Sequence, residues 1–281
     1  MGCTCSRREG TFDYEELIRE AVGKLKLHQK DCENVSMIWY GLGKDLKLSS
    51  SNFYTCASGL GLPKSVLYQS FFSLFAAELD NSSLRKPPAD YSLTKLDAFS
   101  IMETKGSLEV KAARLFKNYD PDHDRSLSKE EIQTMVEEIL EIALKIVPKL
   151  IEFGASDEAL RVKLKRRRQV VYGVKTYMKT HFVELLFEGR GLSVQKFTER
   201  MAKPAISVLL SGKELRNFAL EKLRQAQKYR EFQQLSEPSK NPPPKKKERL
   251  FSEEEEEELS EQAEKTPKTP RVRRRYRKND G

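Results

Sequence analysis

Spaced carboxylates give this chain its strongest chemical pattern. In the twelve residues Asp120–Glu131, DPDHDRSLSKEE, acids stand at the first, third, fifth and twelfth places. Successive residues of a loop wound around an ion turn alternately inward and outward. Asp120, Asp122 and Asp124 can therefore direct three hard oxygens at one point. This is divalent-cation chemistry: calcium takes six to eight oxygens at about 2.3–2.6 Å. Helices are expected on both sides. Ala112, Leu115, Phe116 and Tyr119 recur at helical spacing before the loop, and Ile132, Met135, Val136 and Ile139 do so after it.

The loop resembles an EF-hand calcium loop. The resemblance implies Ca2+ as cofactor and adds further ligands to the three aspartates. Ser126 would offer its backbone carbonyl, Ser128 would act directly or through a water, and Glu131 would close the sphere with two oxygens. Leu127, at the eighth place, matches the apolar residue through which the family pairs neighbouring loops. The departure is Arg125, at the sixth place, where the family uses glycine. A left-handed backbone there costs a residue with a side chain on the order of 1 kcal/mol.

Three other stretches resemble eroded hands. Gly41–Asn52 keeps Leu48 as its apolar residue, with Phe53 in the exiting helix, but lacks the oxygen set. From Asp80 the pattern starts again, is lengthened by Pro87 and Pro88, and ends in Tyr91–Phe99, with Leu93 read as the apolar residue and Asp97 as the closing acid. The fourth stretch puts Leu185, Phe187 and Gly189 at the ligand places and Lys196 where a glutamate should close the site. An ammonium group repels calcium, so the expected task of this loop is to pair Leu192 with Leu127. The helix leaving Glu131 is expected to run to Pro148, followed by a linker over 153–158. Then comes a basic run of Arg161, Lys163, Lys165, Arg166, Arg167 and Arg168. That run reads either as a solvated helix face or as a contact for an acidic partner or lipid headgroups.

The opening MGCTCS fits the acceptor pattern for N-myristoylation at Gly2. A single myristoyl chain anchors only marginally, and Cys3 and Cys5 are placed to add palmitate. Arg7 and Arg8 would face anionic headgroups. No apolar leader precedes them, and uncharged stretches such as Ser65–Ala77 are shorter than the roughly 20 residues a membrane span needs. The four cysteines show neither a disulfide framework nor metal-ligand spacing with the three histidines. The net charge of +9 is not one basic face: from Lys240 onward 13 basic residues stand against 10 acidic ones. Nucleic-acid binding is therefore not the expected function. Residues 237–281, with six consecutive glutamates from Glu253 and the run RVRRRYRK, are too charged to offset their ordering entropy and are expected to be disordered. Thr266 and Thr269 each precede proline and are candidate phosphorylation sites.

The expected fold is all-α, built of paired EF-hand helix–loop–helix units with a disordered charged tail. The expected divisions are a lipidated segment at 1–10, a degenerate EF-hand pair at 11–105, a pair with one calcium-competent loop at 106–212, a C-terminal helix at 213–236 and the tail at 237–281. This layout resembles the neuronal calcium sensors and calcineurin B-like proteins. What it implies is a non-enzymatic, calcium-binding adaptor at the cytoplasmic face of a membrane, the plasma membrane in the first instance, that binds a protein target. A scaffold of the same fold with no calcium response is the alternative. A nucleus-directed protein using the basic tail is the third reading. No phosphate-binding glycine loop, kinase signature or nucleophile–histidine arrangement points to an enzyme.

Overall fold

Four times the chain places an apolar residue before a serine at the mouth of a helix: Leu48-Ser49, Tyr91-Ser92, Leu127-Ser128 and Leu192-Ser193. The apolar residue pairs in a short strand, and three of the four serines cap the helix that follows. The computed structural model describes residues 13–77, 88–187, 189 and 191–236. Strand β1 (Lys47–Ser49) runs antiparallel to β2 (Asp90–Ser92), with Leu48 opposite Tyr91. Strand β3 (Ser126–Leu127) runs antiparallel to β4 (Leu192–Ser193), with Leu127 opposite Leu192. Everything else regular is helical.

Helix α1 (Tyr14–Gly23) is capped by Asp13, whose carboxylate accepts from the amides of Glu15 and Glu16. The first strand pair is framed by α2 (Cys32–Leu42), α3 (Ser50–Gly59), α4 (Val66–Phe72) and α5 (Leu93–Glu103), with α2 packed on α5. The second is framed by α6 (Leu108–Asn118), α7 (Lys129–Glu141), α10 (Lys175–Leu186) and α11 (Val194–Met201). Here α6 packs on α11 and α7 on α10, so the outer helices meet and the inner helices meet. The elements α8 (Val147–Gly154), α9 (Glu158–Tyr172), α12 (Pro204–Ser207) and α13 (Gly212–Ser236) complete the described chain. Described residues up to Phe232 belong to one compact unit.

Aromatic rings fill the first half of the core. Phe53 stacks on Tyr91 at 4.1 Å and on Trp39 at 5.9 Å between centroids, and Phe71, Phe72 and Phe75 surround Phe99. In the second half Phe116 meets Phe197 edge-on at 5.7 Å, beside the buried Leu127 and Leu192.

Three sequence expectations are corrected. Tyr91, not Leu93, is the strand residue opposite Leu48, and Leu93 already belongs to α5. Asp97 therefore closes no loop. It lies one turn into α5, 1% exposed, accepting a hydrogen bond of 2.6 Å from the Ser36 hydroxyl. Nor does the helix after Glu131 stop at Pro148. A π-helical turn over Ile142–Ile146 carries it into α8, with Pro148 in that helix's first turn, where its missing N–H is tolerated. The linker shrinks to 155–157. On α9, Leu164 and Val171 are buried, whereas Val162 and Val170 are exposed.

Candidate metal centre

The loop leaves α6 on two fastened residues. Asn118 donates to the Thr94 carbonyl at 2.9 Å and accepts from the Tyr40 hydroxyl, which ties the loop's base to α5 and α2. Tyr119 donates to Glu138 at 2.8 Å and ties it to α7. Both groups are buried deeply enough that the Tyr119 hydroxyl is held protonated far above its ordinary range. Asp120 follows directly, so its direction is fixed by the helices on either side.

From this base the loop curls as the spacing predicts. One carboxylate oxygen from each of Asp120, Asp122 and Asp124 lies within 4.8 Å of the others. The curl is held locally. Asp122 accepts from the Asp124 amide at 3.3 Å, and Asp124 accepts from the Ser126 amide at 2.7 Å. Asp120 is 6% exposed, and its Oδ1 is buried with no hydrogen-bond partner. Burial, then the neighbouring Asp122 and Asp124, push its carboxyl above the usual carboxylate range, while the Arg125 amide opposes this. A buried acceptor without a donor costs roughly 1–3 kcal/mol. A cation among the three carboxylates would remove both that cost and their mutual repulsion. The donor set, hard anionic oxygens with two solvent-facing members, suits calcium or magnesium.

Arg125 adopts φ 65° and His123 φ 57°. The left-handed place at Arg125 is the one the EF-hand resemblance implies; the one at His123 is not marked by any residue type. A left-handed turn brings successive amides round to face inward, which is how the Arg125 amide reaches Asp120.

Glu131 stands apart from the aspartates. Its Oε2 accepts from the Ser128 amide at 2.7 Å and hydroxyl at 2.8 Å, while the Glu131 amide donates to Ser128 Oγ. This reciprocal capping box starts α7. No hydrogen bond to Glu131 Oε1 is present among the described residues. Ser126, by contrast, lies in β3, pinned opposite Ser193. Gly191 lets that pairing close, because a Cβ there would collide with the Ser126 side chain.

Sequence reading missed a second polar cluster under the first strand pair. Beside the Ser36–Asp97 bond, Trp39 donates to Ser100 Oγ at 2.9 Å, and Ser100 donates to the Leu96 carbonyl at 2.9 Å. Burial pushes the Asp97 carboxyl up to about 6, against the Ser36 hydrogen bond. The lipidation residues Gly2, Cys3 and Cys5, the threonines Thr266 and Thr269, and the charged tail lie outside the described residues, as do Asp80–Pro87.

No protein-family model matches this chain, and neither the curated proteins nor the solved structures contain a match to it.

Proposed function

We propose that this chain is a membrane-anchored, calcium-binding regulatory or adaptor protein of EF-hand type, with one competent loop and a protein target. What carries the reading is the convergence of Asp120, Asp122 and Asp124 beside an orphaned, buried Asp120 oxygen. Asp120, Asp122, Asp124, the Ser126 carbonyl, Ser128 and Glu131 would hold the ion. Pairing of β3 with β4 supports the view that the fourth unit serves the third as a packing partner.

The way the loop is fastened supports the adaptor role. Through Asn118 and Tyr119 it joins helices of both strand pairs, so a change at the aspartates has a route to α2, α5 and α7. Gly2, Cys3 and Cys5 would supply the tether. Replacing Gly2 by Ala should release the protein from membrane fractions. Retention of the variant in the membrane pellet would remove the tether from the account.

The capping box favours a second reading, a scaffold that does not respond to calcium. Glu131 already serves Ser128, and a carboxylate committed to a helix cap is not free to bind an ion with both oxygens. An apolar fluorescent dye separates the two. A sensor brightens the dye on calcium addition as an apolar groove opens, and a scaffold leaves it unchanged.

A further inference from the structure

Helix α9 presents two different faces. Leu164 and Val171 point into the core, and Arg168 pairs with Glu152 at 2.5 Å. Lys163, Arg166, Arg167 and Val170, spaced by three, one and three residues, form the opposite stripe. They line one wall of a cleft of about 770 Å³ whose other walls are Asp13–Glu15 of α1 and Asn217, Leu220 and Arg224 of α13. We propose that this cleft binds clustered phosphates, specifically the phosphorylated headgroup of an inositol lipid at a membrane surface.

The charge balance supports an anionic occupant. Arg166, Arg167 and Arg224 are exposed and make no hydrogen bond or ion pair among the described residues. Both acids on the cleft wall are already engaged. Glu15 accepts from Arg216 Nε at 3.0 and 3.1 Å, and Asp13 caps α1. Among the residues that line the cleft, the Tyr14 hydroxyl is buried with no hydrogen-bond partner. Three unpaired guanidinium groups facing one concavity repel each other, and multivalent phosphate relieves this through paired N–H donors. Low-dielectric walls concentrate the field there.

Position favours a lipid over a free phosphate. Asp13, on the cleft wall, follows the proposed acylated segment, and the eleven residues from Gly2 to Phe12 span at most about 40 Å. Exposed Val162 and Val170 flank the arginines with apolar surface. This placement rests on the tether reading, but the binding chemistry does not.

The test uses full-length Gly2→Ala protein, which carries no myristoyl group. It is sedimented with neutral phosphatidylcholine vesicles containing either phosphatidylinositol bisphosphate or phosphatidylserine at equal surface charge. Preference for the inositol lipid, reversed by soluble inositol trisphosphate, is expected. Adding Arg166→Gln with Arg167→Gln should weaken binding about tenfold or more. The charge-matched pair Lys165→Gln with Lys203→Gln, off the cleft, should leave it nearly unchanged. Equal binding to phosphatidylserine, or equal losses in the two pairs, would overturn the proposal. So would binding of soluble inositol phosphate with no vesicle binding, or displacement by a hexaglutamate peptide but not by inositol phosphate. Because every arm lacks the myristoyl group, failure of the tether reading leaves these outcomes interpretable.

Discussion

Arg125 and Asp120 set opposite limits on the loop. The φ of 65° at Arg125 is the sort of place glycine fills without steric cost. Arg125→Gly should therefore raise calcium affinity severalfold, corresponding to about 1 kcal/mol of relieved strain. A titration of both proteins under one buffer checks this, and an unchanged affinity would show that the strain is relieved elsewhere in the loop. Asp120→Asn removes a charge from the converging oxygens while keeping the side chain's size. Calcium binding should weaken by at least about tenfold, in line with its share of the site's charge. Thermal stability without calcium should rise or hold, since the variant removes a buried negative charge beside Asp122 and Asp124 from the free loop.

At the scale of elements, the strand pairs hold the units together. Leu127 and Leu192 are buried opposite one another, so Leu192→Ala should cost about 2–4 kcal/mol in denaturant unfolding. Between α2 and α5 the relevant variable is pH. Asp97 has its carboxyl raised to about 6 in the fold, against about 3.9 in an unfolded chain. The folded state therefore binds the extra proton between these values, and stability falls as pH rises through about 6. The difference in Tm between wild type and Asp97→Asn should grow from pH 4 to pH 7 in favour of the variant, corresponding to roughly 2 kcal/mol. A constant difference would contradict it. This cluster was not legible in the sequence because Asp97 fits an eroded loop as easily as a helix interior. Its role depends on Ser36, 61 residues away. The apolar-serine pairs at Tyr91-Ser92 and Leu127-Ser128 were a local signal that could have fixed the register, since a serine accepts from an amide three residues on at each. The helical faces around Asp120–Glu131 were legible because they depend on spacing within one stretch, and the Leu127–Leu192 pairing because the EF-hand resemblance assigns each loop an apolar pairing residue. The π-helical turn before Pro148 was not, because it is settled by packing of Ile142–Ile146 in the core.

Across the molecule, one loop gathers carboxylates, and the two short strand pairs contribute packing. Among the described residues, Asp120, Asp122 and Asp124 form the one group of acids close enough to share an ion. A calcium response should then be graded, with no cooperativity between units, in contrast to paired competent loops. The ion pairs that join elements at this scale, Lys175 and Lys179 with Glu137 and Arg168 with Glu152, tie α7 to α10 and α8 to α9. The two ammonium groups hold the Glu137 carboxyl down to about 2, so their contribution is present above the ordinary glutamate range and is lost as pH falls toward 2. The clamp is therefore in place near neutral pH. The most direct test of the account is isothermal titration of the full chain with calcium, run beside Glu131→Gln. The account predicts one site per chain, a non-cooperative isotherm and marked weakening in the variant. No heat at millimolar calcium, or identical isotherms for the two proteins, would contradict it.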